Sequence, residues 1–260
     1  MSGVVYRAVN AFAGPGCRGR RHRVIEAQTA IDSDFYLSYS LQVSPDIVVV
    51  LPAGFSAAEP VLLRIFHNGR EVLFCGSGAM SAGFYCMQNL ANACLEFELP
   101  AKSLSIEKRD GALMMHGRAE LAEQKVDTDY WQALLGQELL RCTAINGGYL
   151  IAEIASAEVL KHLTPDLDRL RAETTAPALI VTALGAQSMQ EDYAMRYFAP
   201  QYGNDEDAAT ASANLYLMKY WQGKLNKTEL RGRQLSPEGA VFSASVCGDT
   251  VSLSGDVCFA

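Results

Sequence analysis

The sequence predicts an α+β protein of two like halves, each a set of strands curled around one long helix. Three observations carry this. A short pattern occurs once in each half: Arg64-Ile65-Phe66 leads to Glu71-Val72-Leu73-Phe74-Cys75-Gly76-Ser77-Gly78, and Arg196-Tyr197-Phe198 leads to Glu206-Asp207-Ala208-Ala209-Thr210-Ala211-Ser212-Ala213. Both copies read R-x-F, a gap, then E-x-x-x-[C/T]-[G/A]-S-[G/A], which marks a duplicated unit; the gap is longer in the second copy. Each copy opens a helical segment, Ala79 to Leu90 and about Ala208 to Gln222. The remaining elements are mostly strands that do not alternate singly with helices, as a doubly wound parallel sheet would require.

In chain order, Val4 to Ala13 is rich in Val, Tyr and Phe and reads as a strand. Gly14 to Arg23 is basic and Gly-rich and reads as a solvated loop, with an anion contact as its alternative. Asp32 to Val43 reads as a short helix capped by Asp32 or Ser33. Asp46 to Pro52 is a continuous apolar run and so a buried strand; Val61 to Phe66 is another. Cys94 to Leu99, Ser103 to Lys108 and Ala112 to Gly117 follow as strands, the last two joined at Arg109-Asp110-Gly111. From about Ala119 the order restarts, with a helix over Asp127 to Leu135 and a strand over Gly148 to Ser156. Helices follow at Ser156 to Leu163 and, capped by Thr164-Pro165-Asp166, up to Thr174. Ala178 to Leu184 and Asp192 to Phe198 are strands. Ala240 to Val246 and Thr250 to Cys258 form a final hairpin turned at Gly248-Asp249.

At 260 residues, with 49% hydrophobic and 20% charged residues, the chain suits one large domain or two small ones. A net charge of -7 argues against a nucleic-acid or anionic-membrane surface. No apolar run reaches the roughly 18 residues of a spanning helix, and the N-terminus lacks the order of a signal peptide. The seven cysteines are odd in number, scattered and without a C-x-x-C pair, which suits a reducing cytoplasm. No two histidines have metal-ligand spacing, and no Gly-rich segment reads as a nucleotide loop, so neither metal nor cofactor is expected. His67 and His116 read as satisfied structural residues. Trp131, Trp221, Tyr216 and Tyr220 read as core or interface.

Small residues at a helix mouth leave backbone N–H groups uncovered, and with the helix dipole these favour an anion such as a carboxylate. The same field favours a thiolate at Cys75. The candidate carboxylate-binding residues are therefore Gly76, Ser77, Gly78, Ala211 and Ser212, with the two helix mouths expected to face each other across one cleft. Cys75 and Asp207 are the candidate proton carriers. The bland alternatives are packing for Cys75 and helix capping for Asp207, Ser77 and Ser212. Glu71 and Glu206 read as structural, bonding backbone groups behind each loop.

The second motif, from Arg196-Tyr197-Phe198-Ala199-Pro200 through Gly203 to Ala213, resembles the R-x-F-x-P…G…E-D-P-A-T-G-S-A signature of the phenazine-biosynthesis isomerase-like (PhzF-like) family. Arg64 to Gly76 resembles the family's first motif, R-x-F-x…E-V-x-L-C-G-H-A-T. Val9-Asn10-Ala11-Phe12 resembles its V-D-A-F start, and Gly232-Arg233 with the final hairpin resembles its ending. The resemblance implies a diaminopimelate epimerase-like fold of two pseudo-symmetric halves, each a curled, mostly antiparallel sheet wrapped around a central helix. The expected halves are residues 1–118, joined by the C-terminal strand at about 250–260, and residues 119–249. It further implies a homodimer and a cofactor-independent isomerase that moves a proton on a small carboxylic or amino acid bound between the halves.

Asn68-Gly69-Arg70-Glu71 and Cys75-Gly76-Ser77-Gly78-Ala79 also resemble the epimerase motifs N-x-D-G-S-E and C-G-N-G-A, in which the Cys is a catalytic base. An amino-acid epimerase or racemase using Cys75 is thus an alternative. Epimerases carry a second Cys where this chain has Thr210, and a hydroxyl without an activating neighbour is a poor base. Against the phenazine-type signature, Pro45 stands in the place of a catalytic Glu, Ser77 in that of a His, and Ala208 and Ala211 replace Pro and Gly. Asp46, next to the lost Glu, is expected to point to the opposite face of its strand. A catalytically inert small-molecule-binding protein on the same scaffold is the remaining alternative.

Overall fold

The computed structural model describes residues 4–56, 58–90, 92–146, 148–173, 178–188 and 190–260. The expected helix end at Thr174 lies outside these. In order the elements are β1 (Arg7–Ala13), β2 (Arg20–Ala27), α1 (Ser33–Gln42), β3 (Ile47–Pro52), β4 (Val61–Leu62), β5 (Arg64–His67), β6 (Arg70–Glu71) and α2 (Gly76–Cys86). Then come β7 (Ala93–Glu98), β8 (Ser103–Arg109), β9 (Ala112–Arg118), α3 (Thr128–Leu135), β10 (Arg141–Ile145), β11 (Tyr149–Glu153), α4 (Ala157–Lys161) and α5 (Leu167–Glu173). The chain continues with β12 (Ala178–Leu184), β13 (Tyr193–Ala199), β14 (Asn204–Glu206), α6 (Ala211–Leu225), β15 (Glu229–Gln234), β16 (Ala240–Cys247), β17 (Thr250–Ser254) and β18 (Asp256–Phe259). It divides into two compact units, Met1–Gly117 with Ser252–Ala260, and Arg118–Val251.

The fold is α+β, and its two halves are built alike. In the first unit β1 pairs antiparallel with β2, β2 parallel with β3, and β3 antiparallel with β5. In the second, β10 pairs antiparallel with β11, β11 parallel with β12, and β12 antiparallel with β13. The parallel step is made in both by a helical crossover, α1 in one and α4 with α5 in the other. A short antiparallel strand then leads into the long helix: β6 into α2, and β14 into α6.

Each sheet packs helices through apolar side chains. Val48 and Val50 of β3 face α1 with Ile25, Tyr36 and Phe66. Val49, pointing the other way, faces α2, where a Cβ at Gly78 would lie 3.4 Å from its Cγ2. Burial on both faces is why this strand reads as an unbroken apolar run. In α2 every residue from Gly76 to Gly83 is buried, and the helix packs on β1, β2, β3, β18 and β8. Gly83 makes the last contact possible, because a Cβ there would lie 2.7 Å from Ile106 Cγ2. In the second unit Leu150, Leu179, Val181 and Phe198 meet Trp131, Leu135, Leu160 and Leu170 of α3, α4 and α5, while α6 packs on β15 and β16.

The structure corrects several expectations. Arg20 to Arg23 is the start of β2 rather than part of a loop, with Arg20, His22 and Val24 inward. The central helix starts at Gly76, three residues earlier than expected, and α6 starts at Ala211, three residues later than Ala208. β10 and β15 were not anticipated. The last arm of the final hairpin is broken after Ser254, and β18 pairs instead with β1.

Candidate active site

The repeated motif is one structural device used twice. In the first unit Glu71 and Phe66 are register partners, and both carboxylate oxygens of Glu71 accept from Arg64, one through Nε and one from Nη2 at 2.6 Å. In the second unit Glu206 and Phe198 are partners, and Arg196 donates through Nε and Nη2 at 2.7 Å each. In both copies the guanidinium also lies over the phenylalanine ring. The two glutamates thus grip arginines, not the backbone groups expected of them. The unequal gap also has a cause. Asn68 and Gly69, both at positive φ, make a two-residue turn in the first copy. A 3-10 turn at Pro200–Tyr202, closed by Gly203 at φ 77°, fills the second.

Behind the first fork, Cys75 caps α2, and its Sγ accepts from the Gly78 N–H at 3.4 Å. Gly78 fits against the sheet here, since a Cβ would lie 2.8 Å from Ile65 Cδ1. Ser77 is not a cap. Its Oγ lies 3.4 Å from Cys75 Sγ and 3.2 Å from Nε2 of His22, whose Nδ1 is 3.0 Å from Ser81 Oγ. His22 is fully buried, and burial first, then the Arg20 charge, lower its pKa to about 3. Its place in a basic segment that reads as a loop concealed it, because Arg20 and His22 face inward against the usual polar-outside pattern. The helix geometry leaves the amides of Gly76 and Ser77 without an intrahelical carbonyl.

At the place of the missing Glu, the Pro45 carbonyl accepts from Arg20 Nη2 at 3.2 Å, and that nitrogen lies 3.1 Å from His67 Nε2. Asp46 is turned to other arginines, Arg23 at 2.8 Å and Arg21 at 3.6 Å.

In the second unit Asp207 lies ahead of the helix and does not cap it. Thr210 is the N-cap residue of α6, with no side-chain capping bond. Its hydroxyl donates to Asp207 Oδ2 at 2.6 Å, so Thr210 does have an activating carboxylate neighbour, contrary to expectation. Gln234 fixes this turn: its Oε1 accepts from the Thr210 amide at 2.8 Å and its Nε2 donates to the Asp207 carbonyl at 2.5 Å. Ser236 donates to the Ala208 carbonyl at 2.7 Å. Ser212 accepts from the Tyr149 hydroxyl at 3.0 Å, and Ala211 is buried at the first turn. Gln234, Ser236 and Tyr149 lie far from the motif in sequence and carry no local signal.

The structure therefore gathers Cys75, Gly76, Ser77 and Gly78 at the head of α2, and Asp207, Ala211 and Ser212 at the head of α6. Among the described residues no three His, Cys, Asp or Glu side chains gather as a metal site needs, and no helix is long and apolar enough to cross a membrane. Residues 46–245, well over half of the chain, match the PhzC-PhzF family model, described as phenazine biosynthesis-like protein. The chain belongs to this family. An uncharacterized isomerase of Pseudomonas aeruginosa is 29% identical over 195 residues, 74% of this chain and 73% of the relative. Another, from Vibrio cholerae, is 44% identical over 183 residues, 69% of this chain and 62% of the relative. The crystal structure of a phenazine biosynthesis protein of the PhzF family from Enterococcus faecalis superposes with a TM-score of 0.86 at 23% identity, covering 98% of this chain and 95% of that one. The fold is thus the one these PhzF-family structures have.

Proposed function

We propose that this protein is a cofactor-independent isomerase that moves a proton on a small carboxylic or amino acid, with Cys75 and Asp207 as its proton carriers. The observation that supports it most is the repeated device: each half places an ionisable group beside the N-terminus of its long helix. The isomerase names of the two relatives agree with it. Since the Gly78 amide is engaged by Cys75, the amides left to hold a carboxylate are those of Gly76 and Ser77 at the head of α2, and those of Ala211 and Ser212 are their counterparts at the head of α6. One carrier takes a proton from a substrate C–H, and a proton is returned to another position of the same molecule. The helix dipoles stabilise the negative charge that develops in between. The resemblance implies a homodimer, which light scattering reads directly.

The test is exchange of substrate C–H for deuterium across a panel of small amino and carboxylic acids. Exchange with at least one acid, reduced more than 100-fold in both Cys75→Ala and Asp207→Asn, is the expected result. Exchange that survives in both variants overturns the assignment.

A second reading, an inert binding protein, is favoured by one contact: Asp46, the acid nearest the lost Glu, is bound by Arg23 instead of replacing it. Acids that raise the melting temperature without any exchange would select that reading.

A further inference from the structure

The buried side of α2 carries a polar chain that the proposed proton transfer does not itself use. Ser77 and Ser81 lie one turn apart on one helix face, and the fully buried His22 of β2 sits between them. We propose that His22 is a positioning residue for Cys75: its Nε2–H donates to Ser77 Oγ, so that the Ser77 hydroxyl donates to the Cys75 sulfur and favours the thiolate. This rests on the reading of Cys75 as a proton carrier.

A neutral imidazole has one N–H and one lone pair, so it passes hydrogen-bond direction from one serine to the other. With the hydrogen on Nε2, Ser81 donates to Nδ1, His22 to Ser77, and Ser77 to the sulfur. The sulfur then receives both the Ser77 hydroxyl and the Gly78 amide at the positive end of α2. With the hydrogen on Nδ1, the Ser77 hydroxyl turns to His22 and its lone pair meets the thiol S–H, which favours the neutral thiol. His22 does not itself take the thiol proton, because burial and Arg20 hold it to about 3, far below an ordinary thiol near 8.5. The charged and titratable groups acting on the imidazole are Arg20 on its own strand and His67 on β5. Ser77 stands where the family signature has a His. In this chain the imidazole arrives from β2, one hydroxyl further back.

The readout is alkylation of Cys75 by iodoacetamide, followed peptide by peptide against pH, so it needs no substrate and separates failure of thiol activation from failure of the isomerase reading. His22→Ala and Ser77→Ala are each expected to slow Cys75 about tenfold at pH 7 and to raise the pH midpoint by about one unit. The double variant is expected to be no slower than either single one, since His22 acts through Ser77. Cys86 and Cys142, whose thiols burial pushes up to about 12, report on folding by staying unreactive. Unchanged or faster Cys75 alkylation in folded His22→Ala overturns the proposal, as does full additivity in the double variant. If Cys86 and Cys142 react in His22→Ala, Ser81→Ala decides: about threefold slowing supports the relay, and no change overturns it.

Discussion

At the residue scale, His22 is where burial and charge leave the clearest thermodynamic mark. Free in the unfolded chain it titrates at its ordinary 6.5; folded, it resists protonation down to about 3. The unfolded state therefore binds more protons in this window. His22 adds stability that is complete above pH 6.5 and is lost as pH falls from 6.5 toward 3. The full span, 6.5 minus 3, is 3.5 units, or about 5 kcal/mol at 1.36 kcal/mol per unit; between pH 6.5 and 5 the loss is about 2 kcal/mol. Urea unfolding at pH 7 and pH 5 checks this. The wild type should lose about 2 kcal/mol more than His22→Asn over that interval, and an equal loss in both would show that the imidazole is not held neutral. The Arg–Glu forks work by a different logic. Their charges are paired bidentately and part-buried, so they fix the strand pair ahead of each helix.

At the scale of elements, the position of α2 depends on how closely a helix of small residues approaches its sheet. Gly78 and Gly83 both face β-sheet side chains, but the obstacles differ. A Cβ at Gly78 meets the flexible tip of Ile65 at 2.8 Å, whereas one at Gly83 meets the branch of Ile106, with Cγ2 at 2.7 Å and Cβ at 3.3 Å. Alanine in a helix interior gains about 1 kcal/mol over glycine. Gly78→Ala should therefore be within about 1 kcal/mol of neutral, because a tip can rotate away. Gly83→Ala should cost about 1–3 kcal/mol, because a branch near the backbone cannot. Melting curves of the two variants give the answer, and equal stability would mean that α2 slides freely on β8. The same elements show how far the sequence could be read. Both long helices and the buried β3 were legible, because small residues after a motif and an unbroken apolar run have local causes. The start of β2 was not, because arginine and histidine facing inward contradict the polar-outside pattern that signals a half-buried strand. Cys75, Ser77, Asp207 and Ser212 could be singled out from the two motifs. Their partners His22, Tyr149 and Gln234 come from distant strands, and only the folded chain brings them near.

At the scale of the whole molecule, the first unit is assembled from two separated stretches of chain. Its sheet runs β18-β1-β2-β3-β5-β6, so the last strand in sequence completes the edge beside the first. β18 pairs along β1 through Val9↔Phe259, Asn10↔Cys258 and Ala11↔Val257, and the Phe259 ring packs edge-on against Phe84 of α2 at 5.0 Å. Removing residues 256–260 strips these ladder bonds from β1 and uncovers one side of α2. A strand left at an edge opens more readily, and amides whose ladder partners are gone exchange through local rather than global unfolding. Hydrogen exchange should therefore speed up at least tenfold across Val9 to Ala11. The amides of Ile180 to Thr182 in β12, held between β11 and β13 in the second unit, should keep their protection. If β1 retained full protection after the deletion, the closing strand would be an ornament of the fold. If protection of β12 fell together with that of β1, the two units would unfold as one and their separate cores would not be separate in stability.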